Sequence, residues 1–333
     1  MRNKYILTLM TLAPVSIGNG NTYSSKEYIL EDGYYYFPEM SKLYSTLCNK
    51  YPEKVKRFEN FLGEPNNKKK TRLTEFLVKE NIVERDFNGY KIKATGYETD
   101  RRNGNLNEIK QFTKDAYGVA YIPGSSLKGA LRTVLENEHF KSKTIIWGAK
   151  NNREFFDIFH NIRVGDSDGI SSDRLTLVQK WDYSYQKNCV KKLMVHREAI
   201  KPMTTVKFEI DTIGSEAAEL VELLELYSKQ HQKRYRDKYL NLIPDKSLIQ
   251  KDLRTTLYLG AGSGFWSKVD MERVNLDKIG PRRGKMKMKG RGAFKLTKYY
   301  NKASHGEKEY GLINNRQNLY EMGKCIFSIE KVE

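Results

Sequence analysis

Residues 121–132 read Tyr121-Ile122-Pro123-Gly124-Ser125-Ser126-Leu127-Lys128-Gly129-Ala130-Leu131-Arg132. The β-formers of 119–122 predict a short strand and Pro123-Gly124 a turn. Ser125 or Ser126 is the expected N-cap, because a short hydroxyl side chain accepts from the backbone N–H groups that a helix start leaves open. Leu127, Ala130, Leu131, Val134 and Leu135 recur at helical spacing and give that helix an apolar inner face. Lys128 and Arg132, four apart, share one side of it. Open N–H groups, two serine hydroxyls and two cations together make a seat for one phosphate at the helix start. A capped helix with a solvated basic face is the plain alternative.

Strand, turn and helix recur on either side of this unit. Tyr5 to Ile17 is rich in β-formers and runs into Gly18-Asn19-Gly20, which reads as a strand closing in a tight glycine turn, with a second strand near 27–30. Over 40–84 the spacing turns helical through Leu43, Leu47, Val55, Phe58, Phe61 and Leu62, broken by Gly63, Pro65 and the run 66–70. Later, 204–213 predicts a strand and 216–239 a helix with Leu220, Leu223, Leu224 and Tyr227 inward and a basic distal half. Leu257 to Leu259 lead into the glycine loop 260–265, and 324–331 alternates as a last strand. Two strand–helix–strand halves predict an α+β fold of two ferredoxin-like (RRM-like) domains, 1–195 and 196–333, with a helical insertion at about 40–85 in the first and the glycine loop in the second.

A chain of 333 residues is long enough for two such domains of roughly 150 residues each. Its 59 Lys and Arg against 41 Asp and Glu leave a net charge of +18, a self-repelling field that a polyanion would neutralise. With 22 Tyr and 14 Phe interleaved among the cations, single-stranded RNA is the partner best suited: rings stack on bases while Lys and Arg meet phosphates. Cys48, Cys189 and Cys325 are odd in number and widely spaced, which fits a reducing cytoplasm and neither a disulfide framework nor a zinc site. The start mimics a signal peptide, yet Thr8, Thr11 and Pro14 interrupt it and no small-residue cleavage site follows, so it reads as a first strand. No apolar run reaches the roughly 18 residues of a membrane span.

In the glycine loop, Gly260, Gly262 and Gly264 allow close approach to a phosphate or to another chain, and Lys268 supplies a cation. No Gly-Lys-Ser/Thr ending is present, so nucleotide hydrolysis is discounted. Residues 282–298 carry Arg282, Arg283, Lys285, Lys287, Lys289, Arg291, Lys295 and Lys298 with no acid between them, and alternation over 285–289 could set cations on one face of a ribbon. His139, His160, His196, His231 and His305 are scattered without ligand spacing. Asp166-Ser167-Asp168 could hold a divalent cation but reads as well as an ordinary loop, so neither metal nor cofactor is expected.

Taken together, the opening run 9–20, Tyr36-Phe37-Pro38-Glu39-Met40, the stretch 121–132, the loop 259–265 and Tyr320-Glu321-Met322-Gly323-Lys324-Cys325 follow the order of one RAMP family. The chain resembles the fifth Csm subunit of type III-A CRISPR complexes, over nearly its whole length. The resemblance implies a subunit that caps the backbone filament at the 3′ end of the CRISPR RNA (crRNA), touching that RNA and the last backbone RAMP subunit, and aiding crRNA maturation through nucleases borrowed from the host. It implies no active site. The target-cutting backbone subunit carries an aspartate in the loop after its first strand. The corresponding 19–26 here has none, and Asp32 lies in a different setting. Ser16 stands where relatives often place histidine.

The reading is a non-catalytic RNA-binding subunit. Gly18, Gly20, Gly124, Gly260, Gly262 and Gly264 are assigned to close backbone approach, and Ser125, Ser126, Lys128, Arg132, Lys268, Arg282, Arg283, Lys285 and Arg291 to the phosphates. One rival is a metal-independent, Cas-six-like endoribonuclease acting through His196 or His305 with a lysine or tyrosine. Another is a purely protein-binding cap.

Overall fold

A computed structural model describes residues 2–64, 71–95, 106–140, 158–184, 189–243, 249, 255–264, 267–268, 294–298 and 319–332. Along them run β1 (Arg2–Thr11), β2 (Gly18–Ser24), β3 (Ile29–Glu31) and β4 (Tyr34–Phe37), then α1 (Met40–Lys50), α2 (Val55–Gly63) and α3 (Leu73–Lys79). β5 (Tyr90–Lys93), β6 (Glu108–Phe112), α4 (Gly124–Leu135), β7 (Ile162–Val164), β8 (Leu175–Ser184), β9 (Cys189–Ile200) and β10 (Thr205–Ile213) follow. The chain then forms α5 (Ser215–Glu222), α6 (Leu224–Lys238), β11 (Thr256–Tyr258), β12 (Phe294–Lys298), β13 (Leu319–Glu321) and β14 (Lys324–Lys331). The class is α+β.

The first sheet has the order β11-β14-β1-β10-β7, antiparallel throughout. Its members and helices follow the chain as β1, α4, β7, β10, α5 with α6, β11 and β14. Alternation along β1 sends Tyr5, Leu7 and Leu9 to the helix side, where they meet Phe208 and Ile210 of β10, Phe327 of β14, and Leu127, Leu131 and Leu220 of the helices. The same alternation leaves Lys4, Ile6, Thr8 and Met10 of β1 and Lys207, Glu209 and Asp211 of β10 on the other face. No ring stands among those positions. The aromatic residues expected to stack bases are spent here on the core, because a ring removes more apolar surface from water than any aliphatic side chain.

β1 thus takes both its neighbours from beyond residue 200, and the expected boundary at 195/196 falls inside β9. The second sheet, β13-β12-β8-β9-β6-β2, also mixes early and late strands, with β6 and β9 parallel and β2 at an edge. A third, β3-β4-β5, carries the helical insertion, where Leu43, Leu47, Phe58, Phe61, Leu73, Phe76 and Phe87 form a separate core. Val55 is only partly buried and Leu62 is exposed.

Four local expectations change. β1 stops at Thr11: Pro14 has no N–H to give, and Leu12 and Ala13 turn their N–H groups to the Lys324 carbonyl (2.9 and 3.2 Å). Gly18-Asn19-Gly20 open the edge strand β2, with an irregular register between Gly18 and Thr22. Residues 119–122 form only isolated bridges at Ala120, since Ile122 is bonded to the 166–168 loop instead of to a strand. The predicted helix over 216–239 breaks at Leu223 into α5 and α6. A buried carboxylate ties the second and third sheets: Glu198 of β9, fully enclosed, accepts from the Phe112 N–H (2.7 Å), the Lys114 ammonium (2.6 Å) and the Tyr90 hydroxyl of β5.

Candidate nucleic-acid interface

The opening run, the glycine loop and the 319–325 hairpin, remote in sequence, are bonded to one another through their backbones. The Ala261 N–H donates to the Ser16 carbonyl (2.7 Å), Leu259 to Gly323 (2.8 Å) and Gly323 to Pro14 (2.9 Å). Such contact requires glycine. Gly260 has φ +74°, and a Cβ there would lie 2.2 Å from the Ser16 oxygen; at Gly323, φ +83°, it would lie 2.3 Å from the Leu259 oxygen. Beneath the loop, buried Tyr258 donates to Glu321 (2.5 Å), whose other oxygen lies 3.8 Å from the fully buried Lys324 ammonium. Burial and the neighbouring Glu321 hold the Tyr258 phenol well above its ordinary pKa.

On its outer side the loop faces α4 across a cleft of about 400 Å³. Ser125, Ser126, Gly129 and Thr133 line one wall, and Tyr258, Gly260, Gly264 and Lys268 the other. The two motifs read separately in the sequence therefore form one site. Ala130, Val134 and Leu257 also line it, so the cleft sets hydroxyls and one cation beside apolar side chains. The Lys268 side chain keeps solvent contact while its ammonium donates to the Gly260 carbonyl (2.8 Å), and desolvation on this side lowers its pKa.

Neither serine caps α4. Pro123 holds the N-cap position, and Asp166 accepts the Gly124 N–H (2.7 Å), so an internal carboxylate occupies part of the anion seat predicted at this helix start. Ser125 and Ser126 turn to the cleft instead. Gly124 itself is required by its own chain: a Cβ would stand 2.3 and 2.4 Å from the Val164 and Gly165 oxygens. The Asp166-Ser167-Asp168 loop is thereby explained by backbone bonding, with the Ser167 hydroxyl accepting from Ile122 (2.9 Å). Among the described residues no group of three potential metal ligands occurs.

The cations expected on α4 divide. Arg132 donates to Glu136 one turn on (2.7 Å) and lies over the Phe159 ring (4.8 Å), so its guanidinium is already occupied. Lys128 is half-buried. Gly18 and Gly20 are exposed on the edge strand β2, apart from the lining of the cleft, with Gly20 at φ +94°. Gly262 abuts Met322 and Arg197, since a Cβ would lie 2.5 Å from the thioether and 2.9 Å from Arg197 Nη1. Arg282, Arg283, Lys285 and Arg291 lie outside the described residues, as does His305; Lys295 and Lys298 fall in β12, a strand between β8 and β13.

His196 is 5% exposed within β9, enclosed where a general base would have to reach solvent and substrate. His231, at the cleft wall, lies 3.3 Å from Glu138, which also accepts from Arg234 (2.7 Å). The sequence shows His231 only as one of five scattered histidines, although Ser228, His231 and Tyr235 at three- and four-residue spacing mark a buried stripe on the basic half of α6.

The described residues contain no helix long and apolar enough to cross a membrane. The glycine loop and α4 of this α+β scaffold line one cleft, and a family model described as the RAMP superfamily matches residues 8–279, which places the chain in the RAMP class. A Streptococcus thermophilus protein described as CRISPR system Cms protein Csm5 is 41% identical over all of both chains. A Mycobacterium tuberculosis protein of the same description is 28% identical over 98% of each. One chain of the cryo-EM structure of a Csm-crRNA-target RNA ternary complex of a type III-A CRISPR-Cas system superposes with a TM-score of 0.64, at 17% identity, over 98% of this chain and all of that one. The chain belongs to the Csm5 family of the RAMP superfamily.

Proposed function

We propose that the chain is a crRNA-binding subunit of a type III-A Csm effector complex, holding RNA backbone in the cleft between α4 and the glycine loop and capping the backbone filament at the 3′ end of the crRNA. The cleft carries this reading: two motifs distant in sequence converge on one site of about 400 Å³ that bears hydroxyls and a lysine, on a chain of net charge +18. Family membership supports it, because the relatives are Csm5 proteins and the superposed chain comes from a complex with crRNA. Its partners in this reading are the crRNA, the other Csm subunits, above all the last backbone subunit, and a host nuclease that trims the RNA. No catalytic group is assigned, no cofactor is called for, and the place of work is the cytoplasm. The cleft, the edge strand at Gly18 and Gly20, and the run holding Arg282, Arg283, Lys285 and Arg291 would follow the phosphates with little regard to sequence.

The finer architecture belongs to the same proposal: the first sheet is one ferredoxin-like unit and the six-stranded sheet the core of the second. Segments 1–195 and 196–333 would then exchange strands, as the pairing of β1 with β10 and β14 suggests. Expressed separately, each should be insoluble, and co-expressed they should reconstitute. The functional reading is tested by assembling the complex with and without this chain and mapping crRNA 3′ ends. Loss of 3′-trimmed crRNA without the chain is the expected result; unchanged ends would contradict the capping role.

A further inference from the structure

Arg197 sits at the centre of the second sheet, in register with Lys110 of the parallel neighbour β6 and Val178 of the antiparallel neighbour β8, so the three side chains share one face. Lys110 is exposed and Arg197 half-buried. Its Nε and Nη1 are enclosed and have no hydrogen-bond partner among the described residues. Two guanidinium donors withdrawn from water without an acceptor are a costly arrangement for a fold to retain, since a folding role is met by a paired arginine or by an aliphatic residue. Desolvation lowers its pKa in consequence.

The glycine loop lies against it at one point. Gly262, at φ +93°, lies so close that a Cβ would be 2.9 Å from Nη1, and Gly260, Gly262 and Gly264 all have positive φ. The loop is therefore flanked by two cations, Lys268 at Gly260 and Arg197 at Gly262, with Lys110 further along the same face.

We propose that Arg197 is the seat of one RNA phosphate, which enters at residues 260–264 and takes guanidinium donors left unfilled in the free chain. This rests on the RNA-binding reading and adds to it a residue in the middle of β9. A phosphodiester is favoured over a partner's carboxylate because cations flank the loop on both sides and only an RNA backbone presents phosphates in succession to them.

The test is binding of the full-length chain and its Arg197→Met variant to a labelled single-stranded oligoribonucleotide across a salt series, with thermal melts of both. The expected result is affinity reduced at least about tenfold and a log–log salt slope shallower by about 0.7, with a melting temperature equal to or above that of the parent. Parent binding with an unchanged variant slope and affinity would overturn the assignment and leave the RNA-binding reading intact. An unchanged slope together with lost assembly onto the other Csm subunits would also overturn it, in favour of a carboxylate partner. No RNA binding by the parent would overturn both readings. Should Arg197→Met fail to fold, Arg197→Lys decides: lowered affinity at unchanged slope supports the seat, and parental affinity refutes it.

Discussion

Replacing Gly260 by alanine perturbs the joint on which the cleft depends, and its cost can be bounded from two sides. Keeping the loop in place requires a non-glycine residue at φ +74°, about 1 to 2 kcal/mol, and a methyl carbon 2.2 Å from the Ser16 oxygen, an overpacking of about 1 to 3 kcal/mol. Releasing the loop avoids both but forfeits the bonds Ala261 to Ser16, Leu259 to Gly323 and Gly323 to Pro14, at about 1 kcal/mol each. The cheaper route governs, so Gly260→Ala should lower unfolding free energy by about 3 kcal/mol in urea titration, and RNA affinity at least about tenfold as the cleft loses a wall. Gly129→Ala is the internal control: nothing lies within 4 Å of its Cβ, and it should be neutral or stabilising by up to about 1 kcal/mol. Parental stability and RNA affinity in Gly260→Ala would refute the argument that the loop is seated by backbone contact.

Removing the enclosed carboxylate with Glu198→Ala strands the Lys114 ammonium, the Tyr90 hydroxyl and the Phe112 N–H, and should cost about 3 to 5 kcal/mol; Lys114→Met with Glu198→Leu should cost less than the sum of the singles in a double-mutant cycle. Burial raises the phenols of Tyr5 and Tyr23 from 10.0 to about 12, so the fold favours their neutral form. That stability is complete below pH 10 and lost as pH rises to about 12, and Tyr23→Phe should blunt the fall in melting temperature across that window. Reversing Arg283, Lys285 and Arg291 together to glutamate should flatten the salt slope of RNA binding by about 2 if each meets one phosphate; an unchanged slope would remove them from the interface.

Local patterning made part of this legible. The inner face of α4, the core of the helical insertion and the alternation of β10 and β14 all follow periods of 3.6 or 2 that any segment displays by itself. What the sequence hides is pairing. That β1 lies between β10 and β14 depends on contacts across more than half the chain, and repeated element order reads as two successive domains when strands interleave. Glycine positions were legible and their partners were not: Gly260 and Gly124 need close approach, but to the chain's own carbonyls. Glu136 stands one turn beyond Arg132 and could have been foreseen as its partner from the i,i+4 rule alone. Arg197 gives no such signal, because a cation in a strand acquires meaning only when its surroundings fail to supply an acceptor.

In the proposed role the chain holds crRNA without cutting it. The most direct test of that role is binding of the purified chain to labelled single-stranded crRNA across a salt series, in EDTA and in magnesium, with the RNA recovered and sized. Salt-sensitive binding with a steep slope and intact RNA in both conditions is the predicted result, whereas site-specific cleavage, or no binding at any salt, would contradict it.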